Sequence, residues 1–321
     1  MTRIAVASRS FSRNPVLRIE LAEKYRDVTF SESAHVLQGA ALVKLLRGHD
    51  RAIVGLERVD EGVLAELPEL KVISKYGVGL DRLDLDALSR HGVKLAWTGG
   101  VNRRSVAELT LAFAIALLHR VPETSAGLRD GEFKPLVGRQ LTGRVVGIIG
   151  CGFVGKDLVS LLATFGCRVL AHDIRDYPAF YAAHGVEPVS RDHLLAEADI
   201  VTLHVPLDDS TRGMIGAPEL ARMRKGACLI NAARGGLVDE PALVEALSSG
   251  HLAGAAFDVF QVEPDANPEL LALPTFLGTP HIGGSTAEAQ LAMGRAAMAG
   301  LEHAELLGPD HPALAGQEKI R

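Results

Sequence analysis

The segment Gly150-Cys151-Gly152-Phe153-Val154-Gly155 is a G-x-G-x-x-G run, and its surroundings constrain the chain more than any other feature. It follows the apolar run Arg144–Ile149 and opens a helical stretch, Lys156–Phe165. The next apolar run, Arg168–His172, is followed at once by Asp173. The run alone is a weak signal, but the order strand, turn, helix, strand, acid gives each residue a task. Gly150 permits the tight turn, Gly152 lets the backbone approach a pyrophosphate, and Gly155 lets helix and strand pack closely. Amides at the helix start, near Phe153 and Val154, supply donors and partial positive charge for phosphates. Asp173 can accept hydrogen bonds from a ribose diol, and its charge repels a 2′-phosphate, so the pattern favours NAD over NADP. Arg175 lies close enough to soften that preference. The plainer alternative is a structural glycine turn with a surface aspartate.

Strand-like and helix-like stretches alternate along nearly the whole chain. Ile4–Ala7, Ala52–Gly55, Val72–Ser74 and Lys94–Trp97 read as buried parallel strands, with helical stretches at Ile19–Tyr25, Ala40–Leu46 and Asp84–His91. A second series follows residue 140: Arg144–Ile149, Arg168–His172, Ile200–His204, Ala227–Ala232 and Ala253–Phe257. Continuous apolar strands separated by helices call for parallel sheets covered on both faces. Between the series lies Ser105–His119, too apolar for a surface helix and too short for a bilayer. It is either a core helix or one buried between subunits. Gly283–Leu307 is rich in helix formers and should be a helix packed back onto an existing domain.

Composition narrows the function classes. The net charge of −5 argues against a chain whose main task is holding nucleic acid, because that needs a cationic face. Three cysteines without a CxxC spacing give neither a disulfide framework nor a cysteine-rich metal site, so no metal is expected. No apolar run reaches the length of a membrane span, and the N-terminal apolar run is too short for a signal-peptide core. These features fit a cytoplasmic protein.

Three further segments stand at strand ends, where a doubly wound sheet presents itself to a ligand. They are Asn231-Ala232-Ala233-Arg234-Gly235-Gly236, then Phe257-Asp258 through Glu263-Pro264, then Thr279-Pro280-His281-Ile282-Gly283-Gly284. With Lys75-Tyr76-Gly77-Val78-Gly79-Leu80-Asp81, the stretch from Asn102 to Glu108, and His204-Val205-Pro206-Leu207, they are similar to the signature of the D-isomer-specific 2-hydroxyacid dehydrogenases. Within that family the chain most resembles the D-3-phosphoglycerate dehydrogenase branch, and the match covers most of its length.

The resemblance implies two doubly wound α/β domains with the active site in the cleft between them. One is a flavodoxin-like substrate domain, residues 1–98 with 288–321. The other is a Rossmann NAD-binding domain, residues 99–287. It also implies a homodimer formed through the cofactor domain, with Ser105–His119 near the interface. The implied reaction is hydride transfer between NAD(H) and a small 2-keto or 2-hydroxy acid. His281 is then the acid that protonates the growing alkoxide. Glu263 fixes its ring and stabilises the imidazolium. Arg234 clamps the substrate carboxylate and polarises the carbonyl. The amides of Val78 and Gly79 cup the other side of the carboxylate, within a substrate set that adds Lys75, Tyr76, Gly77, Asn102 and Arg104. Asp258 meets the nicotinamide carboxamide. His204, Val205, Pro206, Thr211, Ala232, Ala233, Gly283 and Gly284 complete the cofactor lining.

Several positions depart from the phosphoglycerate branch. Gly55 stands where that branch has a phosphate-holding arginine, and Lys134-Pro135 replaces another expected arginine. Lys75 retains a basic residue. Arg103 and Arg104 are extra cations, either for a second substrate anion or as a solvated pair at a helix start. With the sequence ending at Arg321, the regulatory domains of longer members are not expected. Two other classes share the fold. A dinucleotide-sensing corepressor keeps a similar Arg, Glu and His. A formate dehydrogenase needs a glutamine where this chain has Glu263.

Overall fold

In the computed structural model, residues 2–308, 311, 313 and 314 are described. The chain divides into two compact units, residues 1–102 joined by the segment from 284 onward, and residues 103–283. Both boundaries fall four residues from the 98 and 287 expected from sequence. The expected tail of the first domain extends in part beyond the described residues.

The first unit is built on five parallel strands: β1 (Arg3–Val6), β2 (Asp27–Phe30), β3 (Arg51–Val54), β4 (Val72–Lys75) and β5 (Lys94–Ala96). Their order is β2-β1-β3-β4-β5, the flavodoxin-like arrangement. β1, β3 and β4 are buried almost throughout, which is why they read as apolar runs. β2, Asp-Val-Thr-Phe, is a half-buried edge strand, and its mixed composition hid it from the sequence reading. The Ala287–His303 helix packs on this sheet through Met293, Ala297 and Leu301. Its start is set by Thr286, whose hydroxyl accepts from the Ala289 amide.

The second unit holds seven parallel strands: β6 (Val145–Ile149), β7 (Arg168–His172), β8 (Val186–Pro188), β9 (Ile200–Leu203), β10 (Cys228–Asn231), β11 (Gly254–Phe257) and β12 (Phe276–Gly278). Their order is β12-β11-β10-β9-β6-β7-β8. The strand order reverses between β6 and β9, and ligands of open α/β sheets bind beyond the strand ends at such a point. Chains leaving these two strands place Gly150 and His204 together: a Cβ at Gly150 would lie 2.6 Å from the His204 carbonyl oxygen.

The apolar segment of uncertain role is the Arg103–Leu118 helix. Ala107, Phe113, Ala114, Leu117 and Leu118 lie in the second unit's core beside β6 and the Phe153–Leu162 helix, as the core-helix alternative requires. Next comes the Val121–Arg129 helix, which has no buried residue. No single helix among the described residues is long and apolar enough to cross a membrane.

Candidate active site

The glycine turn occupies the end of β6. Gly150 has φ 95°, a left-handed conformation that glycine adopts without strain. A Cβ on Gly155 would run into the carbonyl of Gly150, so only glycine lets the helix start this close to the strand. A Cβ at Gly152 would meet nothing within 4 Å and would project into the space before the turn. The helix begins at Phe153, three residues earlier than expected. Its first amides, those of Phe153, Val154 and Gly155, have no acceptor inside the helix. A cradle open to the backbone with three such amides fits a pyrophosphate.

Asp173 follows β7. Its Oδ2 accepts from the Cys151 amide at 2.6 Å and its Oδ1 from the Arg175 amide at 2.8 Å. A small cavity of about 180 Å³ adjoins it, lined by Ile174, Arg175, Asp176, Tyr181, Pro188 and Val189 among others. On the opposite side of β6, His204 Nε2 lies 3.0 Å from the Thr202 hydroxyl, and burial pushes its pKa down to about 4, so the ring is neutral. Val205 is half-buried against the core and Pro206 is exposed. Thr211 is committed to its own turn: its hydroxyl donates to the Pro206 carbonyl at 2.8 Å and accepts from the Asp208 amide at 2.9 Å.

Three turns after β10, β11 and β12 carry Arg234, Glu263 and His281. The first is shaped by buried Asn231, whose Oδ1 accepts from the Ala233 amide and whose Nδ2 donates to the Arg234 carbonyl. Ala232 is buried and Ala233 half-buried. A side chain at Gly235 would collide with the backbone of Phe260, so this glycine locks the first turn onto the second. Glu263 is held at both oxygens: Oε1 accepts from the Phe260 amide at 3.1 Å, and Oε2 lies 2.9 Å from His281 Nδ1.

The electrostatics of the three are coupled. The hydrogen bond to Glu263 raises the His281 pKa above its usual 6.5, against burial and the repulsion of Arg234. Burial works to raise the Glu263 carboxyl, but the bond and charge of His281 outweigh it and hold the acid below its ordinary value. Arg234 acts on both partners, and its Nη1 donates to the Ala233 carbonyl at 2.7 Å.

Asp258 directly follows β11. It is 1% exposed. Its Oδ1 accepts from the Thr279 hydroxyl at 2.6 Å and the Ile282 amide at 2.7 Å, and its Oδ2 from the Gly283 amide at 2.7 Å. The carboxylate therefore shapes the turn that presents His281, whose φ of 55° is left-handed. The sequence reading gives Thr279 no role within its segment, since a threonine before a proline carries no signal of its own. Gly283 closes this turn, and Gly284 begins the return to the first unit.

In the first unit, Gly77 has φ 109°, and the Val78 carbonyl accepts from Trp97 Nε1 at 2.9 Å. Gly79 is half-buried in the same loop. Tyr76 is buried, and its hydroxyl has no hydrogen-bond partner. A Cβ at Gly284 would lie 2.9 Å from Asn102 Nδ2, so these two residues are packed together.

Two expected anion ligands have partners within their own units. Lys75 is 6% exposed, and its Nζ donates to the Gly55 carbonyl at 2.5 Å and the Tyr76 carbonyl at 3.2 Å. Buried Glu57, also unmarked in the sequence, accepts from the Gly55 amide at 2.5 Å. Arg104, near the start of its helix, pairs with Asp157 at 2.9 Å.

Residues 111–283 match the family model for the NAD binding domain of D-isomer specific 2-hydroxyacid dehydrogenases. The chain is 41% identical to the D-3-phosphoglycerate dehydrogenase of Mycobacterium tuberculosis over 234 residues, 72% of this chain and 44% of that protein. It thus spans less than half the length of that relative. It is 36% identical to the glyoxylate reductase of Thermococcus litoralis over 286 residues, 86% of each chain. The solved structure of the pyruvate reductase of Chlamydomonas reinhardtii superposes with a TM-score of 0.78 at 32% identity, covering 94% of this chain and 95% of that one. The chain belongs to the D-isomer specific 2-hydroxyacid dehydrogenase family.

Proposed function

We propose that this protein is an NAD-dependent reductase of small 2-keto acids, acting reversibly on the matching D-2-hydroxy acids. One observation carries the reading: His281 and Glu263 form a 2.9 Å pair within the electrostatic reach of Arg234, in the unit that bears the glycine turn. A bound nicotinamide dinucleotide supplies the hydride. The turn at Gly150–Gly155 and Asp173 hold its pyrophosphate and adenosine ribose. Arg234 grips the substrate carboxylate and draws electron density toward the carbonyl oxygen. The amides of Val78 and Gly79 are assigned to the same carboxylate. His281 delivers its Nε2 proton to that oxygen as negative charge builds there, and Glu263 stabilises the imidazolium beforehand.

Two features of the first unit support an unphosphorylated substrate. Gly55 brings no cation to this strand end, and a Cβ there would lie 2.8 Å from the Ser8 hydroxyl oxygen. Lys75 Nζ donates to two backbone carbonyls. These features favour glyoxylate, pyruvate or hydroxypyruvate over the phosphorylated substrate implied by the name of the mycobacterial relative. An NADH-oxidation assay with these acids tests the reading. Tight NADH binding without turnover of any of them would favour a dinucleotide-sensing protein instead.

The working unit is proposed to be a homodimer joined through residues 121–138. Phe133 and Val137 are 91% and 90% exposed, Leu128 is also exposed, and the adjoining helix has no fully buried residue. Such a run of exposed apolar side chains is unusual for an isolated subunit. Sedimentation of the wild type and of a Phe133→Asp, Val137→Asp double variant tests it: a dimer that dissociates in the variant supports the assignment, and a monomeric wild type refutes it.

A further inference from the structure

The glycine turn has little to hold its tip. Phe153 is exposed, and a Cβ at Gly152 meets nothing. Its base is fixed by the Gly150 amide, which donates to the His172 carbonyl at 2.8 Å, and by the contact of Gly150 with the backbone of His204. Beyond that point the next anchor is the amide of buried Cys151, which donates to Asp173 Oδ2 at 2.6 Å. The other oxygen of the same carboxylate is fixed by the Arg175 amide. The carboxylate is thus clamped at one end by its own chain and holds the turn at the other.

We propose that Asp173 is a positioning residue for the phosphate-binding turn as well as the acceptor for the adenosine ribose. The inference rests on the reading of this turn as a nucleotide site. A buried amide that loses its acceptor must find another or open to water. Without the carboxylate, the Cys151 amide loses its acceptor, and the turn that carries the following amides loses that anchor. Recognition of the ribose and of the pyrophosphate is therefore coupled through one side chain. Removing that side chain to admit a 2′-phosphate also weakens the grip on the phosphates shared by both dinucleotides.

The test uses a ligand with phosphates but no ribose hydroxyls, 2′,3′-dideoxyadenosine 5′-diphosphate, beside ADP. Titration calorimetry gives both affinities for the wild type, Asp173→Ala and Asp173→Asn. Amide hydrogen exchange at Cys151 is followed by NMR without nucleotide, with the core amides of β6 as the reference for global stability. An acceptor of the ribose alone would leave the dideoxy ligand unaffected by Asp173→Ala. Positioning of the turn predicts about a tenfold loss for that ligand, with faster exchange at Cys151 but not in β6. Asp173→Asn keeps one acceptor oxygen and is expected to recover most of both properties. Wild-type values for Asp173→Ala in both measurements, or an Asn variant no better than Ala, would overturn the proposal. A wild type that binds neither nucleotide would overturn the nucleotide reading, and the exchange rates would still decide the role of Asp173.

Discussion

His281 Nδ1 and Glu263 Oε2 lie 2.9 Å apart although 18 residues separate them in the chain. The bond favours charged imidazole, so His281 keeps its proton to a pH above the usual 6.5. Reduction, which consumes that proton, should hold at low pH and fall as pH rises through the elevated value. Oxidation of the hydroxy acid needs the neutral ring and should rise over the same interval. Glu263→Gln should move both limbs to lower pH. His281→Ala should lower kcat by about 10² to 10⁴. Rate profiles in both directions check this, and an unshifted Gln variant would contradict it.

Arg234→Lys should behave as a severe change. A lysine keeps the charge but not the planar fork that grips a carboxylate at two points. Losses are expected in KM and kcat together, because one group orients the ground state and polarises the carbonyl. Steady-state kinetics with glyoxylate check this, and native constants would show that charge alone suffices.

Asp258→Ala should destabilise the second unit by about 3 kcal/mol or more. It strips the acceptor from the Thr279 hydroxyl and from the Ile282 and Gly283 amides. Denaturant unfolding measures the loss, and an unchanged midpoint would refute the role of Asp258 in shaping the His281 turn.

NADH should be preferred to NADPH by a wide margin in kcat/KM, since a carboxylate at the end of β7 repels a 2′-phosphate. Asp173→Ala should narrow the ratio chiefly by lowering the value for NADH. Equal values for the two cofactors in the wild type would remove the assignment.

The sequence was most informative where backbone geometry depends on residue type. Gly150, Gly152 and Gly155 stand where side chains would collide or fill a cradle, and buried strands such as Ile200–Leu203 leave unbroken apolar runs. The edge strands β2 and β8 escaped notice because each is short and partly polar. The meeting of Glu263 with His281 was expected only through resemblance, since it depends on three turns from different strands. The engagement of Lys75 by carbonyls and of Arg104 by Asp157 could not be read at all. A cation's partner depends on packing between distant segments, and a lysine in sequence looks the same whether it faces a ligand or its own backbone.

The central claim is 2-keto acid reduction by the Arg234, Glu263 and His281 group with NADH. The most direct measurement is NADH oxidation with glyoxylate, pyruvate, hydroxypyruvate and phosphohydroxypyruvate, for the wild type and His281→Ala. The account predicts turnover of at least one unphosphorylated acid at a higher kcat/KM than the phosphorylated one, and a loss on the order of 10² or more in the variant. No turnover of any of the four, or a His281→Ala enzyme as fast as the wild type, would contradict it.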